Sequence, residues 1–157
     1  MTALLASWES IYANSAVLRT VIAFAHIAGL VAGGGAAIVA DRAALGVRRR
    51  PAAERAGILM SIRHTHRVVI SGLAAVVISG GLLLAADSET LLHSWIFWTK
   101  MALLVLLLAN GALVGYAERK ASAGSAQAWT WIAWTAGASL ALWTLTTLAG
   151  AALPNAG

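Results

Sequence analysis

The sequence predicts an all-α protein, an integral membrane four-helix bundle, and three observations lead there. Of 157 residues, 60% are hydrophobic and 11% charged, whereas a soluble domain carries about 25% charged residues. Four apolar stretches, at about residues 16–40, 68–86, 95–117 and 129–152, match the roughly 20 residues that cross a bilayer as a helix. Seven of the eleven Lys and Arg residues fall between the first two stretches: Arg42, Arg48, Arg49, Arg50, Arg55, Arg63 and Arg67. A net charge of +5 would suggest nucleic acid in a soluble protein. Clustered between two spans, the same charges read as the positive-inside signal, and no nucleic-acid partner is expected. The absence of cysteine excludes a disulfide framework, a thiolate metal site and an iron–sulfur cluster.

Each element has its own reason. Residues 1–15 place Leu4, Leu5, Trp8, Ile11 and Tyr12 at helical spacing, which predicts a short helix lying in the membrane interface. No positive residue precedes this stripe, so it is not expected to be a secretory signal. The first span ends at Asp41-Arg42. Pro51 with Glu54 three residues later marks a helix start, and that helix is expected to run through Ile58–Ile62 into the second span. The acidic stretch Asp87-Ser88-Glu89-Thr90 reads as a short external turn. The third span starts near Trp95 and ends at Glu118-Arg119-Lys120, and a small polar linker, residues 121–126, leads to the fourth, which finishes before Pro154. Both basic loops then share one side, so both termini are expected outside the cytoplasm. The whole chain, 1–157, forms one membrane domain with no internal repeat. Trp95, Trp98, Trp129 and Trp131 match interfacial aromatic belts, while Trp134 and Trp143 lie deeper, as core or lipid-facing bulk.

The chemistry-bearing residues are few, and depth decides which can cooperate. At about 1.5 Å per residue, His26 lies on the order of 14 Å below the outer face. An ionisable side chain at that depth is by default functional. His93 stands at the outer face, and His64 and His66 stand at the inner one. His26, Gly29, Gly33 and Ala37 share one helical face, a trough that admits either a neighbouring helix or a flat cofactor. Gly29-x-x-x-Gly33 and Gly111-x-x-x-Gly115 are both small-xxx-small pairs that pack helices in lipid without any ligand.

A b-type haem at His26 has three arrangements open to it. Met101 on the third span lies within about one turn of the depth of His26 and would complete His/Met ligation. Two copies of His26 would meet across a twofold axis. A lone His26 would leave the sixth position open. A tilted third span would also bring His93 into reach. In Arg63-His64-Thr65-His66-Arg67 the two histidines diverge on a helix and chelate poorly. The flanking arginines suit anionic lipid headgroups or, with His66 beside them, a haem propionate. Lys100 is expected to snorkel outward along Ile96 and Phe97, and Asn110 to bond another helix. Thr135, Ser139, Thr146 and Thr147 can bond carbonyls of their own helix. No Ser, His and acid converge at one depth, so nucleophilic catalysis has no support.

At Ala25-His26-Ile27-Ala28-Gly29-Leu30, Ala40-Asp41-Arg42-Ala43-Ala44-Leu45, and Phe97-Trp98-Thr99-Lys100-Met101-Ala102-Leu103 followed by Asn110-Gly111, the chain resembles a loose group of small bacterial four-span membrane proteins distantly similar to the copper-resistance D membrane domain. The resemblance covers the first three spans. It implies a four-helix bundle with a histidine in the first span, matching His26. Soft copper ligands are limited to Met1, Met60 and Met101.

Together these readings give a multi-pass protein of the bacterial inner membrane. Its expected function is b-type haem binding in electron transfer, alone or as a subunit of a larger redox complex, with His26 as the iron ligand and Gly29, Gly33, Met101, His93 and His66 as further cofactor-binding candidates. One alternative is a structural or accessory protein that assembles with copies of itself or a partner through its glycine faces. The other is a metal or proton transporter using His26, Lys100 and Asn110. No catalytic residue is assigned.

Overall fold

The computed structural model describes residues 2–153, so Met1 and Pro154 fall outside the described residues. Among these residues the chain is helical without strands: α1 (Thr2–Asn14), α2 (Ala16–Gly46), a 3-10 turn (Val47–Arg49), α3 (Ala52–Ala86), α4 (Ser88–His93), α5 (Trp95–Ser122) and α6 (Ala128–Ala152). Four helices, α2, α3, α5 and α6, are long and apolar enough to cross a membrane.

Local chemistry explains where they begin and stop. Ser15 separates α1 from α2 and caps the latter, its hydroxyl accepting the Leu18 N–H at 3.2 Å. Pro51 immediately precedes α3, and Glu54 in its first turn lies 3.5 Å from Arg50. The helix then runs unbroken for 35 residues, about 52 Å at 1.5 Å per residue. That exceeds the roughly 30 Å hydrocarbon core, so its arginine-bearing first turns extend beyond the apolar part, as the sequence suggested. The stretch after Asp87 winds into α4 rather than a simple turn. Helix α5 continues into the expected linker, to Ser122, and is closed by Gly124 at φ +86°. There Ser125 N–H reaches back to the Lys120 carbonyl at 3.1 Å, an ending that glycine reaches without a Cβ clash.

The bundle is a square with one open side. Helix α3 packs on α2, α2 on α6, and α6 on α5, whereas the backbones of α3 and α5 scarcely approach each other. The α2–α3 seam is the tightest, because bare backbone meets bare backbone. A Cβ on Gly72 would stand 2.6 Å from Gly33 Cα and 2.7 Å from the Gly29 carbonyl oxygen. Near the two basic loops, Ala44, Val47, Ile62, Ala117 and Ile132 form one buried cluster, and Ala37, Leu107 and Trp143 form a second towards the bundle's middle. Large apolar side chains face outward along every span, among them Phe24, Val31, Ile70, Val105 and Leu148. That is the surface a lipid environment accommodates. Helix α1 lies against α3 and α2, and Trp8 Nε1 donates to the Leu82 carbonyl at 3.1 Å.

Candidate functional site

The interior holds two polar centres, separated along α2 by the fifteen residues from His26 to Asp41, or about 22 Å. The first lies in the half of the bundle nearer the chain termini. His26 Nδ1 stands 2.9 Å from Ser79 Oγ on α3, and Ser79 Oγ in turn donates to the Ala75 carbonyl at 2.5 Å. A hydroxyl has one hydrogen. With that hydrogen committed to the carbonyl, Ser79 accepts from His26, which assigns the ring proton to Nδ1 and leaves the lone pair on Nε2. Gly80 lies against the ring, and a Cβ there would stand 3.4 Å from His26 Cε1, in ordinary contact. From α5, the Lys100 ammonium acts electrostatically on the ring. Its Nζ would lie 3.3 Å from a Cβ on Gly150 of α6, so Lys100 lies over bare backbone in the α5–α6 seam.

The second centre lies in the half that carries the basic loops. Asp41 is 8% exposed and Glu118 6% exposed. Glu118 joins α5 to α3 across the open side of the square: His66 Nδ1–H donates to its Oε1 at 3.3 Å, and Arg63 Nε lies 3.8 Å from its Oε2. Arg63 also donates to Ser122 Oγ at 2.9 Å. Asp41 has no such clasp. Ser139 and His66 are the groups that act on its carboxylate, and Oδ2 is buried without a hydrogen-bond partner. Beside it, between α3 and α5, lies a cavity of about 370 Å³ that also reaches Asn110, Arg119 and Trp143.

The expected site residues are therefore dispersed. Gly29 and Gly33 are covered by Gly72, and Gly33 and Gly34 also by the ring of Trp143. The trough is filled by a helix and an indole, so these glycines pack helices and offer no cofactor face. His66 belongs to the Glu118 clasp at the other end of the bundle from His26. Exposed His93 spends Nδ1 on the Glu89 carbonyl of its own helix, at 2.6 Å. Met101 follows Lys100 on α5 and so points about 100° away from it. Asn110 bonds another helix, as expected, donating to the Thr135 carbonyl at 3.1 Å. Thr135 bonds carbonyls of its own helix at Trp131 and Ile132, whereas Thr146 Oγ1 is buried without a partner. His64 is exposed while His66 turns inward, the divergence expected two residues apart on a helix. Among the described residues no three His, Cys, Asp or Glu side chains gather as a metal site.

Sequence reasoning used Asp41 and Glu118 only as markers of span ends. A signal was present: each acid stands on the span side of a basic group, in Asp41-Arg42 and Glu118-Arg119-Lys120. Lys and Arg alone set topology, so acids at those ends require a partner inside the protein. Compared with protein-family models, curated proteins and solved structures, the chain matches none of them.

Proposed function

We propose that this chain is a multi-pass protein of the bacterial inner membrane, termini outside the cytoplasm, that holds a b-type haem through His26. Its role is electron transfer, alone or within a larger redox complex. The observation that carries this reading is the hydrogen-bond chain from His26 Nδ1–H through Ser79 Oγ to the Ala75 carbonyl. A metal-ligating imidazole commonly donates its second ring N–H to such an anchor, which fixes the tautomer and aims the other nitrogen at the metal.

The fit to haem is therefore at the nitrogen and not at the glycine trough. His26 Nε2 would be the ligand, and the Lys100 ammonium, near enough to act electrostatically on the ring, suits a propionate carboxylate. Ser79 orients the ring. The haem, when bound, supplies one-electron chemistry that these side chains lack.

The test is an absorption spectrum of the protein purified from haem-supplemented cells. A Soret band that disappears in His26→Ala, with helix content unchanged, is the expected result. A colourless wild-type protein, or a band that survives His26→Ala undiminished, overturns the reading.

A further inference from the structure

The open side of the bundle carries a second, independent site. Three features meet there. First, the backbones of α3 and α5 scarcely approach each other, and among the described residues the hydrogen bonds and ion pairs between them lie at the basic end, where Glu118 meets His66 and Arg63 and Ser122 meets Arg63. The gap they leave faces the region occupied by lipid. Second, the cavity in that gap has a mainly apolar wall, including Val69, Leu73, Leu107 and the indole of Trp143, with His66, Asn110, Arg119 and Ser139 as its polar members beside Asp41. Third, Asp41 borders that cavity, and its Oδ2 is buried without a hydrogen-bond partner.

A buried acceptor left without a donor is costly, and a buried carboxylate is more so unless a counter-charge meets it. Among the described residues no Lys or Arg forms an ion pair with Asp41, although Arg119 borders the same cavity, and the His66 ring that acts on Asp41 is bonded to Glu118. The missing partner is thus a donor, and a positively charged one answers both demands. The wall decides the rest of the ligand. A cavity of about 370 Å³ is at the size of small-molecule sites, which pair apolar walls with a few placed polar groups. An indole in the wall adds an electron-rich face for a cation.

We propose that the α3–α5 groove is a binding site for a lipophilic ammonium, a protonated amine on an apolar body that enters from the bilayer and pairs with the Asp41 carboxylate. Asn110 and Ser139 border the same cavity and set the depth at which the head group stops. Gly111 and Gly115 form the α5 side of the groove, and nothing in the protein lies within 4 Å of a Cβ built on either. Their lack of side chains keeps the entrance wide. The site lies about 22 Å from His26 along α2 and needs no haem.

The experiment uses the full chain in lipid nanodiscs and a fluorescent probe, dansylated hexylenediamine with one free amine, against its N-acetyl analogue, which keeps the apolar body and loses the charge. Binding is read from fluorescence polarisation. The expected result is saturable binding of the amine, weaker by about tenfold or more for the acetyl analogue and for Asp41→Asn, in keeping with a charged hydrogen bond. Gly111→Leu, which fills the groove and leaves Asp41 intact, gives the same loss and guards against a folding effect of Asp41→Asn. Equal binding of the two probes, or amine binding that survives both variants, overturns the proposal. So does a wild-type chain that is dimeric in the nanodisc, binds no probe, and becomes monomeric on Gly111→Leu: the groove would then hold a helix of a second copy.

Discussion

The chain contains two small-xxx-small pairs of identical spacing, Gly29/Gly33 on α2 and Gly111/Gly115 on α5, and they meet opposite fates. The first is covered by α3 so closely that backbone touches backbone; the second faces open space. The difference lies in what stands opposite. Helix α3 presents Gly72 to the first pair, so both surfaces are bare and the axes can close up. Facing the second pair, α3 presents Val69, Ile70 and Leu73 across the cavity, whose side chains hold it off. A small-residue stripe thus docks a helix only when the opposing helix is equally bare at the same depth.

The largest expected effect is at the closed seam. Gly72→Ala places a methyl 2.6 to 2.7 Å from three backbone atoms of α2, none of which can rotate away, so the helices must separate. We expect a loss of about 3 kcal/mol, read as a lowered midpoint of denaturant unfolding in mild detergent by far-ultraviolet ellipticity. Gly33→Ala meets Gly72 Cα and the Trp143 ring at 3.3 Å and should cost about 1 kcal/mol. Equal effects at the two positions would show that the crossing point lies elsewhere.

The open seam depends on its clasp. Glu118→Ala removes the carboxylate that ties α5 to His66 and Arg63 of α3 and leaves the Arg63–Ser122 hydrogen bond in place. A buried charge-assisted bond of this type contributes about 2 kcal/mol. The expected outcome is an unfolding midpoint lowered by that amount, with the α3–α5 distance, measured between spin labels at positions 64 and 116, broadened. An unchanged distance distribution would mean that α2 and α6 alone fix the gap.

Ser79→Ala tests the first polar centre, which bridges α2 and α3, without touching the glycines of either seam. Stability should fall by about 1 kcal/mol, the net value of an ordinary hydrogen bond. Haem affinity, titrated by the Soret band, should fall about tenfold, as for other supports of metal-bound histidine. A stability loss without any change in haem affinity would make Ser79 a packing partner only.

The four spans were legible because hydrophobic length and Lys/Arg clustering act locally along the chain. Pro51 was legible for the same reason. The partner of the Gly29/Gly33 trough was not, since Gly72 lies in an ordinary apolar run and its role depends on which helix crosses α2 and at what depth. Ser79 was hidden likewise, one hydroxyl among many that normally bond their own helix. Asp41 and Glu118 were misread as end markers because a sequence gives an acid's position along a helix but not the face that its neighbours bury. Asn110 succeeded because an amide in a span has few other ways to be satisfied.

The smallest effect is the one that separates the two pairs most cleanly. Gly111→Ala adds the same methyl as Gly72→Ala, to a residue in the same kind of position within a transmembrane helix. Here the methyl meets nothing within 4 Å, so no steric term opposes it. What remains is the backbone term: glycine in a helix interior is less stable than alanine by roughly 0.5–1 kcal/mol. Lipid already favours the helix in both states, which trims that gain. We expect Gly111→Ala to be neutral or to stabilise by about 0.5 kcal/mol in the same unfolding assay. If it destabilises the chain as strongly as Gly72→Ala does, a second helix occupies the α5 face, and the distinction between a closed and an open seam fails.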